Sequence, residues 1–304
     1  MKVKDIDLKK INSFNELIQA FSGTGFQAGE LSKAVELIEK MKKEKSEIIL
    51  SFTANMVASG LRGIIKELCE KKFVSAIVTT AGSIDHDIIK SLTDYESGEF
   101  FCDDIELNKK GINRIGNILI HNKGFEELEK KIIPIYEKIY SGKKIVSPRE
   151  LIKEIGMHLK EDSFLYWCSK NNIPVFCPGI TDGAIGLQMY FFKQDHTDFG
   201  IDVTADMKEL GNLVLNADKC SAIILGGGIS KHHVIGANLL RNGLDYAVYV
   251  STASEFDGSL SGARTHEAKS WGKIKGKAST VNVYGEATIV FPLIAKALQE
   301  KKLI

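Results

Sequence analysis

Residues 255–264, Glu-Phe-Asp-Gly-Ser-Leu-Ser-Gly-Ala-Arg, together with Trp271-Gly272-Lys273, are the part of this chain best suited to chemistry. The Ser and Gly content marks a loop rich in backbone N–H groups. Charge and an aromatic ring are nevertheless concentrated just ahead of a lysine. Arginine is scarce, five residues against 35 lysines, and Arg264 is one of the five. A lysine beside the Trp271 ring can be desolvated; its pKa then falls, and a free amine becomes available to attack carbonyls or imines. The plainer reading of Lys273 is a solvated surface cation, the ordinary state of a lysine.

A second candidate lies upstream. The apolar run Cys220–Leu225 leads into Gly226-Gly227-Gly228 and then a helical pattern near His232. That order reads as a strand, a tight turn and a helix N-terminus, where bare backbone and the helix dipole can receive a pyrophosphate. A simple tight turn fits as well, because the spacing is not G-x-G-x-x-G. Thr79-Thr80-Ala81-Gly82 ends another apolar run in the same way. In open parallel sheets ligands gather at the carboxyl ends of the strands, which is where both turns fall. His232-His233 does not read as a metal site. Adjacent helical residues diverge by about 100° and no third ligand follows at suitable spacing, so a structural histidine is the simpler reading.

The elements that carry these turns alternate. Residues 48–52, 74–78, 173–176, 221–225 and 246–250 read as short apolar strands, with Pro174 counting against the third. Helix-period segments follow the first two, through Ile64, Ile65 and Leu68 and over 84–92. The pattern predicts an α/β fold, a parallel sheet with helices on both faces. Residues 125–140 read as an amphipathic helix that Pro134 should kink or split. Ser147-Pro148-Arg149-Glu150 reads as a capping box with proline at the first helical position. No linker or repeat interrupts the chain, so a single domain over 1–304 with a short N-terminal helical extension is expected.

Composition sets the outer bounds. With 304 residues and 44% hydrophobic content the chain can bury a large core. A net charge of +1 gives no electrostatic footprint for nucleic acid or an anionic membrane. Five cysteines without a C-x-x-C pair point to a reducing cytoplasm rather than a disulfide framework or zinc site. No apolar run approaches the roughly 18 residues of a membrane span, and the charged start from Lys2 onward lacks a signal peptide's apolar core.

The motifs are also similar to those of a known family. Gly23-Thr24-Gly25-Phe26-Gln27-Ala28, Thr53-Ala54-Asn55, Thr79-Thr80-Ala81-Gly82, Gly111-Ile112-Asn113-Arg114-Ile115-Gly116-Asn117 and Thr181-Asp182-Gly183 resemble, in order, motifs of the deoxyhypusine synthases. Gly226-Gly227-Gly228 with Lys231-His232-His233, residues 255–262, Glu267, Ser270-Trp271-Gly272-Lys273-Ile274 and Val283-Tyr284 continue the match, which runs over about residues 23–298. The resemblance implies a Rossmann-like core that binds NAD, a homotetramer, and a transferase in which Lys273 takes up an aminobutyl group as an imine. By position it implies that Asn55, Thr80, Ala81, Gly82, Asp182, Gly227, Gly228, Thr252, Ala253, Asp257, Glu286 and Ala287 hold NAD. Glu286 stands where the family has Asp. It further implies Lys273 and His232 as catalytic, with Glu267, Trp271 and His86 around the amine. The implied donor is spermidine and the implied acceptor a lysine of the hypusine-containing translation initiation factor.

Four departures bear on the substrate. The family's acid after Thr-Asp-Gly-x-x-Gly is Leu187 here, and the acid of Phe-Asp-Gly-Ser-Asp-Ser-Gly is Leu260. The second acid of a Glu-Glu-Asp run is His86, between Asp85 and Asp87, and an Asn after the His pair is Gly236. Each lost charge-assisted hydrogen bond is worth about 1.5–3 kcal/mol to a cationic donor. Two alternatives therefore stand beside the first reading: a paralogue acting on a less cationic amine, such as a monoamine or guanidino compound, or a non-catalytic NAD-binding subunit of a heteromer. Retention of Lys273 argues against the last.

Overall fold

Runs of Ile, Val, Leu and Ala become the parallel strands of the computed structural model, which describes residues 2–304. The strands are β1 (Glu47–Phe52), β2 (Ala76–Val78), β3 (Cys220–Leu225), β4 (Leu244–Ser251) and β5 (Ile274–Tyr284), in the order β5-β4-β3-β1-β2. Every neighbouring pair is parallel, with Leu50 opposite Ile77 and Ile223, and Val248 opposite Ile223 and Val281. β3 is buried along its whole length and β1 from Ile48 onward. Such runs need no polar alternation, because helices flank the sheet. Helix Phe26–Lys43 packs on β4 and β5, Gly228–Ala237 on β1 and β2, and Ala287–Glu300 on β4. These elements belong to one compact unit, made of the chain up to Phe52, Lys71–Val78 and Met207–Ile304. The N-terminal extension is the short helix Phe14–Phe21, started by the Ser13 hydroxyl accepting from the Glu16 N–H.

The second unit comprises Thr53–Glu70 and Thr79–Asp206 and is mainly helical. The family-like run from Gly111 to Asn117 forms one arm of a β-hairpin: Ile112–Ile115 pairs antiparallel with Ile118–His121, and Gly116 turns the chain at φ +59°. Ser147 and Glu150 make the expected capping box on helix Pro148–Met157. The strand expected at 173–176 is only Val175–Phe176, beginning just after Pro174, as the missing N–H of proline requires. Pro134 does not split its helix, which runs unbroken over Asn122–Gly142. Buried Leu128 and Ile132 before the proline and Ile135 and Tyr136 after it anchor both halves, and the Tyr136 hydroxyl donates to the Ile185 carbonyl at 2.9 Å. That packing offsets the lost backbone bond. Among the described residues, no helix is long and apolar enough to cross a membrane.

No apolar run in the sequence marks β5. Lys275, Gly276 and Lys277 break the apolar pattern there, and the strand tolerates them because its register slips. Leu244 faces Ile274 but Tyr246 faces Ser279, so the polar residues sit in a bulge at the sheet edge.

The deepest ion pair of the second unit is Arg62 with Asp87, Nε to Oδ1 at 2.6 Å, the carboxylate fully buried. Asp87 also accepts from the Ser163 hydroxyl at 2.6 Å and the Leu165 N–H at 3.0 Å, tying helix Ala81–Lys90 to the start of helix Phe164–Asn171. Removing Asp87 leaves the Ser163 hydroxyl and the Leu165 N–H without that acceptor and Arg62 with only the exposed Asp162 as ion-pair partner, 3.1 Å away. Asp87→Ala is therefore expected to destabilise the protein by about 3–5 kcal/mol, read by urea denaturation; a loss under 1 kcal/mol would show the pair to be peripheral to stability.

Candidate active site

Lys273 owes its position to a helix stop. Helix Thr265–Ser270 is fastened to β5 at its start, where the Thr265 N–H donates to Asn282 Oδ1 at 3.1 Å and Asn282 Nδ2 donates to the Thr265 hydroxyl at 2.8 Å. At its end Trp271 is the C-cap and Gly272 turns left-handed at φ +70°. The Gly272 N–H donates to the Lys269 carbonyl and the Lys273 N–H to the Ala268 carbonyl, both at 3.0 Å. This pair of bonds is a Schellman motif, in which glycine takes the left-handed position without a Cβ penalty. The Leu244 N–H then donates to the Lys273 carbonyl at 3.1 Å, where β4 begins. Both backbone groups of Lys273 are thus held, and its side chain leaves a fixed point.

That side chain is buried, 9% exposed, and its Nζ lies 5.0 Å from the centre of the Trp271 ring. It enters a small cavity of about 20 Å³ lined by Lys231, Ile235, Tyr249, Leu260, Arg264, Glu267 and Trp271. The volume suits one water-sized group. Trp271 is 67% exposed as a residue, so it forms an outer wall. Glu267 is the one carboxylate of this lining. Arg264 ion-pairs with Glu255 and lies 5.2 Å over the Tyr284 ring.

Lys231, to which the sequence reading assigned no role, is 1% exposed. Its ammonium donates to the carbonyls of Leu260 at 2.8 Å, Ala263 at 2.6 Å and Ser261 at 3.5 Å, and stands 4.6 Å over the Tyr249 ring. Burial pushes its pKa down to about 8, with Glu267 pulling it back up and Arg264 adding to the fall. Tyr249 is buried with its hydroxyl unpartnered, and burial pushes its pKa up. In sequence Lys231 stands out by its place in the Lys231-His232-His233 motif, three residues after a glycine turn. His232, the next residue, is exposed and outside the cavity lining.

The carboxyl ends of β3, β4 and β5 gather one set of cofactor candidates. Gly226 and Gly228 turn the chain at φ +83° and +66°, and helix Gly228–Ala237 starts there. Thr252 and Ala253 follow β4, Asp257 lies in the loop beyond, and Glu286 caps helix Ala287–Glu300. A Cβ on Gly227 would lie 2.5 Å from Ser261 Cα, so its bare backbone lets the 255–264 loop approach. The Ser261 hydroxyl accepts from the Gly228 N–H at 3.0 Å. Gly228 and Gly258 have open space where a side chain would be. Backbone at a helix start for phosphates, with the carboxylates of Asp257 and Glu286 for ribose hydroxyls, is a donor and acceptor set that fits NAD.

Asn55, Thr80, Ala81, Gly82, Asp182 and His86 lie in the second unit. Thr80 precedes helix Ala81–Lys90 as its N-cap, and Gly82 faces the Ala54 methyl, 2.9 Å from where a Cβ would stand. Asn55 and Asp182 are exposed. His86 is buried and its Nδ1 is 2.7 Å from the Tyr95 hydroxyl; burial, then Lys90, push its pKa down to about 4, so it is a neutral ring. Asp85 accepts from the Ala184 and Ile185 N–H groups at 2.7 and 3.0 Å, capping helix Ala184–Asp195. Gly183 makes room for it: a Cβ there would lie 2.5 Å from Asp85 Oδ2. Leu187, on that helix, lines an apolar hollow of about 460 Å³ with Met189 and Tyr190.

The fold is α/β, with glycine turns at the strand ends and a buried lysine in a small cavity. The comparisons identify the family. The deoxyhypusine synthase family model matches residues 16–298. A "Probable deoxyhypusine synthase" of Thermoplasma acidophilum is 44% identical over 96% of this chain and 95% of its own length. The deoxyhypusine synthase of Senecio vernalis is 40% identical, over 96% and 87%. A crystal structure from Entamoeba histolytica, provisionally assigned as a deoxyhypusine synthase, superposes with a TM-score of 0.68 at 30% identity, covering 97% of this chain and 96% of that one. The chain belongs to the deoxyhypusine synthase family, and its relatives support an enzyme of the transferase class.

Burial pushes the Asp85 pKa up to about 6 from 3.8, against the pull of the Ile185 and Ala184 N–H groups. Asp85 thus holds its proton more tightly in the folded protein, so its contribution is full below about pH 4 and is lost as pH rises through 6. Between pH 5 and 7 the wild type should lose about 1–2 kcal/mol that Asp85→Asn does not lose. Parallel unfolding curves of the two proteins across that range would contradict this.

Proposed function

We propose that this chain transfers an aminobutyl or related group from a donor amine through an imine on Lys273, with NAD as hydride carrier. Spermidine is the first choice of donor, and a lysine of the hypusine-containing translation initiation factor the first choice of acceptor. The observation that carries the reading is the lysine itself: buried, backbone-fixed by a Schellman turn, and set against Trp271 in a cavity. The strand-end backbone with Asp257 and Glu286 would hold NAD, which would supply a hydride acceptor for the donor's C–N bond and a hydride donor for the product imine. The Lys273 amine attacks the oxidised carbon, the donor's leaving amine departs, and an acceptor amine displaces Lys273 in turn. Glu267 would pair with the donor's ammonium, and Trp271 would keep water from the imine. Lys231 would hold the loop that carries Leu260 and Ala263. His232 and His86 carry less weight here, one being exposed and the other bonded to Tyr95.

This reading predicts that incubation with NAD and the donor, followed by borohydride, adds the donor fragment's mass to Lys273. Lys273→Arg should show no adduct and no turnover, because a guanidinium stays protonated. Wild-type turnover by that variant would remove the lysine from the mechanism.

One observation favours a less cationic donor. The Lys273 cavity already holds Lys231 and Arg264, and Leu260 stands in its wall where an acid would face the donor. A second ammonium there lacks a partner. Leu260→Asp is expected to raise spermidine affinity by roughly tenfold, about 1.4 kcal/mol, in calorimetry with NAD present, while affinity for a monoamine changes little. Efficient deoxyhypusine formation by the wild type with no gain in the variant would return the donor to spermidine.

A further inference from the structure

In the second unit a separate cavity of about 230 Å³ opens between helix Pro148–Met157, helix Phe164–Asn171 and residues 172–175. Two cations line it, Arg149 and Lys153, four residues apart on one helix face. No carboxylate contributes to the wall. Arg149 Nε is buried without a hydrogen-bond partner. Asp206 Oδ2 accepts the Arg149 backbone N–H at 2.9 Å and the Arg149 charge acts on that carboxylate, but no hydrogen bond reaches Nε.

The frame around these groups is built closely. A Cβ on Gly156 would lie 2.2 Å from Ser169 Oγ and 2.4 Å from the Leu165 carbonyl oxygen, so the two helices meet backbone to backbone. Lys153 Nζ donates to Asn172 Oδ1 at 2.9 Å, and the Ser169 hydroxyl donates to the Lys153 carbonyl at 2.9 Å. Asn172 holds its place as a left-handed helix cap at φ +56°. Ile152 and Pro174 supply apolar wall.

A partly buried guanidinium with an unpaired N–H is costly unless an acceptor arrives. Its planar fork matches the two oxygens of a phosphate or carboxylate, and a neighbouring ammonium adds a point charge to the same group. The cavity is larger than a bare oxyanion, and Ile152, Ile173 and Pro174 make part of its wall carbon. We propose that it binds a small organic oxyanion, with the charged head between Arg149 and Lys153 and a short carbon body against Ile152 and Pro174. The motif matches and the proposed reaction use neither Arg149 nor Lys153.

The test is calorimetric titration of the full chain with inorganic phosphate, n-butyl phosphate and butyrate. Saturable binding of one molecule per chain is expected. The butyl ester should bind more tightly than phosphate because of the apolar wall, and the butyrate arm decides between a phosphate and a carboxylate head. Arg149→Gln and Lys153→Gln should each weaken binding by roughly tenfold or more, with Lys273 trapping unaffected. Lys153 is exposed, so Lys153→Gln keeps the test valid if Arg149→Gln fails to fold. No saturable binding of any of the three would overturn the proposal. So would binding that survives both substitutions, which would belong to another site such as the glycine turns.

Discussion

The contact on which the candidate site depends is the buried ammonium of Lys231 on the carbonyls of Leu260, Ser261 and Ala263. A Ser- and Gly-rich loop has little apolar surface of its own to hold it, and its conformational entropy favours escape. One cation satisfying three carbonyls supplies bonds of about 1.5–3 kcal/mol each, and burial under the Tyr249 ring keeps water from competing. From that clamp the rest follows. Ser261 is held against Gly227 and reaches the Gly228 N–H, so the loop and the glycine turn form one body. Arg264 starts the helix whose Schellman stop aims Lys273.

The clamp also shapes the electrostatics. Lys231, Lys273 and Arg264 share a lining with one carboxylate, Glu267, while Glu255 is spent on Arg264. Burial and the Arg264 charge push the Lys231 pKa down to about 8, against the pull of Glu267. The same field opposes a ligand with several ammonium groups. The identity of residue 260 therefore matters more than its place in a loop suggests.

Asp85 and Asp87 in the second unit serve architecture. Asp85 caps helix Ala184–Asp195, and Asp87 is locked to Arg62, Ser163 and Leu165. A run of alternating acids on a helix looks in sequence like a cation-binding face. Here both carboxylates are turned inward to backbone and guanidinium donors, with the His86 ring between them on Tyr95.

The sequence alone determined the elements whose causes are local. Unbroken apolar runs become buried parallel strands, and Ser147 and Glu150 close a capping box within four residues. The motif order identified the family, and Trp271-Gly272-Lys273 marked the lysine. Tertiary structure decided what depends on distant partners. β5 exists because β4 offers it an edge and a bulge absorbs its polar residues. Gly227 is bare because Ser261, more than thirty residues later, occupies the space. Lys231 is buried because three carbonyls of a remote loop surround it. Spacing along a chain reports a turn or a cap, which closes over a few residues. It does not report which buried charge will meet which carbonyl, because that is settled only when the packed core removes water from both.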